Sequence, residues 1–208
     1  MAELKHRRYV QWLTVLLLSA AGVATSWNGY QAALWGSVQA QSYGRANTLR
    51  LASIRAEDAA DQLRAIDVAI FAEWVHAWLI EDERVATFFE ERFRDEFKPA
   101  FRAWLAQDPL HSHTAAPSPF YLPEYRLAKA EEAVALAEQA EDAFLAGQEA
   151  SAYGDTYIMH ALLLATVLFF AGVSKIFRVP VMQYVLLGMA AALFVYCAVS
   201  IAALPKAA

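Results

Sequence analysis

Three long stretches without a charged side chain limit the folds open to this chain more than any other feature of its sequence. No Asp, Glu, Lys or Arg occurs in residues 9–44, 156–174 or 179–205. A helix needs about 20 apolar residues to cross about 30 Å of hydrocarbon. The last two stretches meet that length directly, whereas in the first only about residues 10–28 are apolar enough. The sequence therefore predicts transmembrane helices at residues 10–28, 156–174 and 181–204.

The cations beside these helices predict their orientation. They are Lys5, Arg7, Arg8, Lys175 and Arg178. Lys and Arg in short loops stay on the cytoplasmic side of a membrane. We therefore expect residues 1–9 and 175–180 in the cytoplasm, and residues 29–155 and 205–208 outside it. In a bacterium this describes a multi-pass protein of the inner membrane with a periplasmic segment at residues 29–155.

Charge and composition exclude several other classes of protein. Residues 27–157 contain 11 Lys and Arg against 21 Asp and Glu, a net charge of −10, and the whole chain carries −5. A nucleic-acid-binding protein is disfavoured, because such proteins present basic surfaces. The single cysteine, Cys197, excludes a disulfide framework. An aromatic content of 13% excludes intrinsic disorder.

Residues 1–24 have a second interpretation. A cationic start, an apolar run and the small residues before Ala24 are typical of a secretory signal peptide cleaved after that residue. Against cleavage, Trp27, Tyr30 and Trp35 indicate the interfacial aromatic belt of a retained span. Cleavage would leave a two-helix hairpin with the same orientation.

The extracytoplasmic segment has the composition of a helical domain. Helix-forming residues dominate, and strand-like alternation is absent. An aromatic stripe at helical spacing comprises Phe71, Trp74, Trp78, Phe88, Phe89, Phe93, Phe97, Phe101 and Trp104. Pro99 should end or kink a helix near Phe97. The spacing of Glu90 with Arg94, and of Arg92 with Glu96, predicts ion pairs on an exposed helix face.

A proline-rich loop divides this segment. Residues 107–123 contain four prolines, which exclude a continuous helix. A second helix follows from Tyr125 to about Ala152, and Gly154 with Asp155 predicts a helix stop and then the N-cap of the second span. The predicted fold is all-α: three transmembrane helices and a helical extracytoplasmic hairpin or small bundle.

A run of small residues continues from the first span into the segment that follows it. Its members are Ser19, Gly22, Ser26, Gly29, Ala33, Gly36 and Ala40, with alternating spacings of three and four. These positions share one helix face, here called the small-residue face, and a heptad repeat is typical of left-handed helix pairs. Small residues let membrane helices approach closely. The pattern predicts helix packing against the second span, the third span or another copy of the chain.

Several stretches resemble a known set of proteins. They are FFEERFRDEFKPAFRAWLAQDP followed by PSPFYLPEY, GDTYIMHALLLATVLFFAGVS, and TSWNGYQAALW near the start. They are similar to a widespread set of uncharacterised, hypothetical bacterial inner-membrane proteins. The resemblance implies a first span, a helical extracytoplasmic segment and a closing two-span hairpin. It implies no reaction, substrate or cofactor, so no functional residue is assigned from it.

Few residues of the sequence suggest a catalytic, polar or metal-binding site. Asp155 and His160 are the candidate polar site, because an ionisable group inside a membrane is a functional hypothesis by default. The alternative is a neutral His160 near the interface, hydrogen-bonded to a neighbouring helix. His111 and His113 form a His-x-His pair, which is too few ligands to predict a metal. Phosphate-binding, metalloprotease, nucleophile-elbow and CxxC motifs are absent from the sequence, and we expect no cofactor.

Three functions remain open at this point. The first is a non-catalytic membrane scaffold or subunit, whose partners are the lipid bilayer and a second copy or another membrane protein. The second is a homo-oligomeric cation channel, in which an acidic outer domain concentrates cations and the pore is lined by Gln11, Thr14, Ser19 and Ser26. The third and most remote is an envelope enzyme using Asp155, His160 and the loop histidines His111 and His113.

Overall fold

The structure is a computed structural model that describes residues 2–109, 111–177 and 179–207, with side chains from Val10 onward. Over these residues no strand occurs, which confirms the all-helical prediction for the described chain. The elements are α1 (Ala2–Leu79), α2 (Glu83–Glu91), α3 (Lys98–Leu105), a 3-10 turn (Pro119–Tyr121), α4 (Ala128–Val173) and α5 (Pro180–Ala203). The side chains of Lys5, Arg7 and Arg8, and all of Arg178, lie outside this description.

Three helices are long and apolar enough to cross a membrane: α1, α4 and α5. The 24 residues of α5 are close to the length of one span. By contrast, α1 has 78 residues and α4 has 46. Both helices therefore run on from their charge-free stretches into charged sequence, so the predicted boundaries at residues 28 and 155 do not coincide with helix ends.

The described residues fall into two compact units. Unit 1 comprises Met1–Gly44 and Ala143–Ala208, and unit 2 comprises Arg45–Asp142. In unit 1 the apolar core joins α1, α4 and α5 through Leu17, Ala21, Leu164, Val167, Ala171, Leu187, Ala190 and Cys197. Large apolar side chains also cover its outside, including Trp12, Leu16, Leu162, Phe169, Val181 and Val199, each at least 60% exposed. A helix that is apolar all round is typical of a membrane span.

The predicted helix stop at Gly154 and N-cap at Asp155 are wrong. Both residues lie inside α4, which continues without a break to Val173. Gly154 is buried, and a Cβ built there would lie 3.6 Å from the Trp35 Cβ atom and 3.8 Å from the Ala32 carbonyl oxygen. The glycine therefore serves the close packing of α4 on α1 rather than a turn.

In unit 2, a tight turn follows α1. Glu81 adopts a positive φ of 58°, and the Asp82 carboxylate accepts a hydrogen bond from the Val85 N–H at 3.1 Å. An acidic N-cap of this kind satisfies one of the free N–H groups in the first turn of a helix. The aromatic stripe is thus divided among α1, α2, α3 and the connection between α2 and α3, which contains Phe93 and Phe97.

The predicted ion pairs of the extracytoplasmic segment do not form. Since α2 ends at Glu91, neither Arg94 nor Glu96 follows it at helical spacing. The Arg92 guanidinium instead lies 3.4 Å from the centre of the Phe88 ring. The helix end also falls well before the position predicted near Phe97. Pro99 lies in the first turn of α3, where a missing N–H costs no hydrogen bond.

The divided aromatic residues meet again in one core. This core contains Phe71, Trp74, Phe93, Phe97, Phe101 and Trp104, with Phe120 and Tyr125 packed against it. The Phe71 ring lies edge-on to Phe97, Phe101, Trp104 and Phe120 at centroid distances of 5.3–6.5 Å. Aromatic pairs of this geometry add stability beyond the area that they bury. The loop over residues 107–123 contains only the 3-10 turn among its described residues.

Candidate functional site

The small-residue face of α1 is turned away from the rest of unit 1. Six of its seven residues are exposed, and Gly22 is half-buried. A Cβ built at Gly22, Gly29 or Gly36 would meet no atom outside its own stretch of helix within 4 Å. The Ser26 hydroxyl donates to the Gly22 carbonyl oxygen at 3.1 Å, so its polar group is satisfied within α1. The described residues of this chain therefore leave the face uncovered.

A different face of α1 packs against the other helices of unit 1. Its buried positions are Val10, Thr14, Leu17, Ala21, Asn28 and Gln31. Ser19 follows Leu17 by two positions, which is about 200° around a helix. The predicted packing of the small-residue face against the second or third span within one chain is therefore not what the structure shows.

Glycines that do allow close helix contact lie on α4. A Cβ at Gly147 would lie 2.5 Å from Cδ1 and Cε1 of the Tyr43 ring, and Gly154 approaches Trp35 as described above. The sequence analysis missed Gly147. A glycine inside a helix costs about 1 kcal/mol of stability relative to alanine. Its presence in an Ala- and Glu-rich helix was therefore a usable sign of close packing.

The structure separates the two members of the candidate polar site. Asp155 is exposed, whereas His160 is buried at 7% exposure. The His160 Nδ1 atom lies 2.8 Å from the Thr156 carbonyl oxygen, so Nδ1 is the nitrogen that carries a proton. Nε2 is buried without a hydrogen-bond partner, and the ring lies parallel to that of Tyr196 at a centroid distance of 6.4 Å. His160 is therefore buried away from Asp155, but its hydrogen bond lies within α4 and not to a neighbouring helix as the alternative interpretation expected.

A group of buried polar side chains binds the carboxyl-terminal residues of unit 1. The Gln31 side chain accepts from the Ala207 N–H at 2.9 Å and donates to its carbonyl oxygen at 3.4 Å. The Tyr157 hydroxyl donates to the Pro205 carbonyl oxygen at 3.0 Å. These contacts join residues far apart in the chain, so local sequence patterns did not reveal them.

Asn28 is another buried polar side chain of unit 1, and one of its atoms is left unpaired. It is fully buried, and its amide nitrogen donates to the Ala24 carbonyl oxygen at 2.7 Å. Its Oδ1 atom has no hydrogen-bond partner among the described residues. Leaving a buried acceptor unpaired costs about 1–3 kcal/mol.

The residues proposed to line a pore do not share one surface. Thr14 is fully buried, and its hydroxyl donates to the Val10 carbonyl oxygen at 2.7 Å. Gln11, Ser19 and Ser26 are exposed. Thr14 therefore belongs to the core of unit 1 and does not lie beside the other three.

Unit 2 contains one buried carboxylate, Asp67, at 1% exposure. Its Oδ2 atom accepts hydrogen bonds from Arg94 Nη1 at 3.2 Å and from the Tyr125 hydroxyl at 3.0 Å. Burial raises the pKa of Asp67 above its ordinary value, and the Tyr125 bond and the Arg94 charge partly offset that effect. Burial, followed by the charge and hydrogen bond of Asp67, raises the pKa of Tyr125 to about 12. Arg94 also contacts Glu96.

The loop histidine His111 has a local partner, Asp108. His111 Nδ1 lies 2.9 Å from Asp108 Oδ1, and both side chains are exposed. Among the residues that the structure describes, three or more His, Cys, Asp or Glu side chains do not converge as a metal site requires. Asp108 itself adopts a positive φ of 49°.

Comparison of this chain with protein-family models, curated proteins and solved structures gave no match.

Proposed function

We propose that this chain is an integral protein of a bacterial inner membrane, with spans at residues 10–28, 156–174 and 181–204. The support is the combination of three long apolar helices with large apolar side chains exposed around unit 1. In water, such a surface would promote aggregation, whereas in lipid it costs nothing. In this proposal the chain acts as a scaffold or subunit through helix association, without catalysis.

The proposed orientation places residues 29–155 in the periplasm. The short cationic flanks support it, because Lys and Arg in short loops stay on the cytoplasmic side of a membrane. The contribution of Val10, Leu17 and Ala21 to the core of unit 1 supports retention of residues 1–24 rather than their cleavage. Removing them would expose the facing surfaces of α4 and α5.

The observation that carries the proposal is the uncovered small-residue face of α1. Its seven residues extend over about 32 Å of helix, and its three glycines have no neighbour outside their own stretch of helix. Helices in lipid associate by van der Waals packing, for which closely approaching backbones are needed. A face that repeats every seven residues is complementary to a second copy of itself in a symmetric pair. The proposed partner is therefore another copy of this chain.

The test is the mass and composition of the complex extracted gently from its native membrane. We expect more than one copy of the chain in a single species. In a Gly29→Leu/Gly36→Leu variant we expect the monomer, because the added side chains hold the backbones apart. Gly188→Leu on α5 is the matched control, since Gly188 is also exposed with open space around it, and it should keep the wild-type mass.

Two outcomes would contradict self-association. One is a wild-type complex that contains one copy together with a different protein at a fixed ratio, which would identify a subunit of a mixed complex. The other is an unchanged mass in the Gly29→Leu/Gly36→Leu variant. Leucine in place of an exposed helical glycine gains about 0.5–1 kcal/mol of helix stability, so loss of association could not be attributed to unfolding.

A further inference from the structure

The chain folds back onto two other helices of unit 1 after α5 ends. Helix α5 ends at Ala203, and Leu204 adopts an extended conformation with φ −77° and ψ 144°. Residues 204–207, here called the strap, reach Gln31 of α1 and Tyr157 of α4. All of these residues belong to the same compact unit. The strap therefore occupies a site that two helices of unit 1 form together.

The hydrogen bonds that hold the strap go to its main chain. The Gln31 side-chain amide accepts from the Ala207 N–H at 2.9 Å and donates to the Ala207 carbonyl oxygen at 3.4 Å. Paired residues of neighbouring β-strands exchange the same two bonds. The Tyr157 hydroxyl donates to the Pro205 carbonyl oxygen at 3.0 Å. Residues 205 and 207 are two apart, which is the period at which an extended chain repeats its orientation. The site thus binds the strap as the edge of a β-sheet binds a strand.

The side chains of the strap contribute little to this binding. Pro205 and Lys206 are exposed, and the Lys206 ammonium has no hydrogen bond or ion pair within the part of the chain that the structure describes. Gln31 and Tyr157, by contrast, are 2% and 0% exposed, so the groups that bind the strap are held in place by packing. Main-chain hydrogen bonds of this kind give affinity for an extended peptide whatever its side chains.

We propose that Gln31 and Tyr157 form a binding site for an extended peptide segment of a partner protein, which the strap occupies while the partner is absent. The class of ligand is given by the strap itself, since its main chain already makes the bonds. In the proposed orientation the site lies at or just beyond the extracytoplasmic ends of the three spans. The partner is therefore a protein that presents an extended segment at that surface.

The strap is held weakly enough to be exchanged. Three hydrogen bonds between neutral groups contribute about as much free energy as the ordering of four residues costs. A partner segment that makes the same bonds and is held by further contacts outside the site would displace the strap. The inference concerns a site separate from the small-residue face, and it does not depend on association of α1 helices.

Binding of a labelled peptide to the full chain tests the proposal. The probe is fluorescein-LPKA-amide, which has the sequence of the strap, and binding is followed by fluorescence anisotropy. We expect saturable binding that is about tenfold tighter in the Ala207→Pro variant. Proline removes the N–H that Gln31 accepts, so the strap of that variant competes less for the site.

Two further peptides test whether the main chain is what is recognised. Fluorescein-APSA-amide carries other side chains on the same main chain, and it should bind with about the same affinity. Fluorescein-LPKP-amide lacks the N–H at its last residue, and it should bind at least tenfold more weakly. This comparison leaves the protein unchanged, so a folding defect cannot explain its result.

Substitutions within the site identify the residues that bind the peptide. In the Ala207→Pro background, Gln31→Leu should abolish binding and Tyr157→Phe, which keeps the ring, should weaken it. The matched control is Gln41→Leu, on an exposed glutamine of α1 outside the site, which should bind as the Ala207→Pro variant does.

Three results would overturn the proposal. They are equal affinity for the LPKA and LPKP peptides, unchanged affinity in the Ala207→Pro variant, and absence of binding in every variant, which would make the strap a permanent part of the fold. The Gly29→Leu/Gly36→Leu variant should bind the peptide as wild type does. Failure of this proposal can therefore be told apart from failure of self-association.

Discussion

Gly147 of α4 lies against the ring of Tyr43 of α1 so closely that a Cβ atom there would be 2.5 Å from two ring carbons. The same ring contacts Phe144 at a centroid distance of 5.4 Å. Glycine thus permits contact between α1 and α4 within unit 1, whereas the glycines of the small-residue face contact nothing outside their own stretch of helix. We therefore expect a larger side chain to destabilise the fold at Gly147, but not at the glycines of the small-residue face.

Replacing Gly147 with alanine should destabilise the protein. The methyl group gains about 1 kcal/mol of helix stability, but it overlaps the Tyr43 ring, and overpacking of this kind costs about 1–3 kcal/mol. We expect a net loss of about 1 kcal/mol in the free energy of unfolding, measured by denaturant or thermal unfolding of the purified protein. Gly172→Ala in the same helix meets no atom within 4 Å and should be stabilising instead.

A double-mutant cycle tests whether overlap with the Tyr43 ring causes this loss of stability. Tyr43→Leu removes the ring, so adding Gly147→Ala to it should no longer reduce stability, and the two substitutions should couple strongly. Additive effects of the two substitutions would show that the clash is absent.

Replacing Arg94 with glutamine should destabilise unit 2 in a pH-dependent way. Asp67 would keep its Tyr125 bond but lose its charge partner while buried, which costs about 2–3 kcal/mol at neutral pH. Since burial already raises the pKa of Asp67 above its ordinary value of 3.8, the folded protein binds this proton more tightly than the unfolded chain. The contribution of Asp67 to stability therefore falls as pH rises above 3.8, and the deficit of the variant should shrink as pH is lowered toward 4.

The matched control for Arg94→Gln is the Asp67→Asn/Arg94→Gln double variant. With no buried charge left, its stability should exceed that of Arg94→Gln at pH 7 and should lack the pH dependence. If the loss of stability in Arg94→Gln relative to wild type were the same at pH 4 and at pH 7, Asp67 would not be the group responsible.

The Tyr125 hydroxyl should titrate well above the ordinary tyrosine pKa of 10. Its pKa is raised to about 12, and the ultraviolet difference between wild type and Tyr125→Phe during an alkaline titration isolates this phenol. Asp67→Asn should lower that pKa, because it removes the charge that opposes ionisation, while the burial of the phenol and an amide oxygen acceptor remain. Because the pKa of Tyr125 is higher in the folded protein than in the unfolded chain, the free energy of unfolding should fall between pH 10 and pH 12. An unchanged Tyr125 pKa in Asp67→Asn would contradict the effect assigned to the Asp67 charge.

The proposed orientation can be tested at the proline-rich loop. Cysteine introduced at Ser112, a half-buried loop position, should react with a membrane-impermeant thiol reagent in intact spheroplasts. Cys197 is buried in α5, and Cys197→Ser removes any background. Labelling only after lysis would show that the segment lies in the cytoplasm.

The sequence was sufficient to predict the main apolar helices of the fold and the residues of one core. Long charge-free stretches predicted the three apolar helices, and the aromatic stripe predicted the residues that form the core of unit 2. The sequence was not sufficient to predict where the helices begin and end. Gly154 and Asp155 have the local features of a stop and a cap, but packing on Trp35 overrides them. Arg94 was assigned to a local pair, whereas its buried partner, Asp67, lies 27 positions away.

The candidate site was predictable only in part, for a geometric reason. A period of three and four identifies which residues share a face, but it does not indicate whether that face points into or out of the chain. Thr14 and Ser19 both occur in the polar pattern of the first span, yet Thr14 is in the core and Ser19 is exposed. The buried Asn28 carbonyl oxygen had no sequence signal at all, since its environment is formed by helices distant in the chain.

Cysteine cross-linking within the membrane tests the central claim most directly, which is that copies of this chain associate through the small-residue face. In a Cys197→Ser background, Ala33→Cys places a thiol on that face, and Val38→Cys places one at another exposed position of α1. Disulfides require Cα atoms about 4.4–6.8 Å apart, which only closely packed helices provide. We predict a cross-linked dimer for Ala33→Cys and none for Val38→Cys. Failure of Ala33→Cys to cross-link, or equal cross-linking at both positions, would contradict the claim.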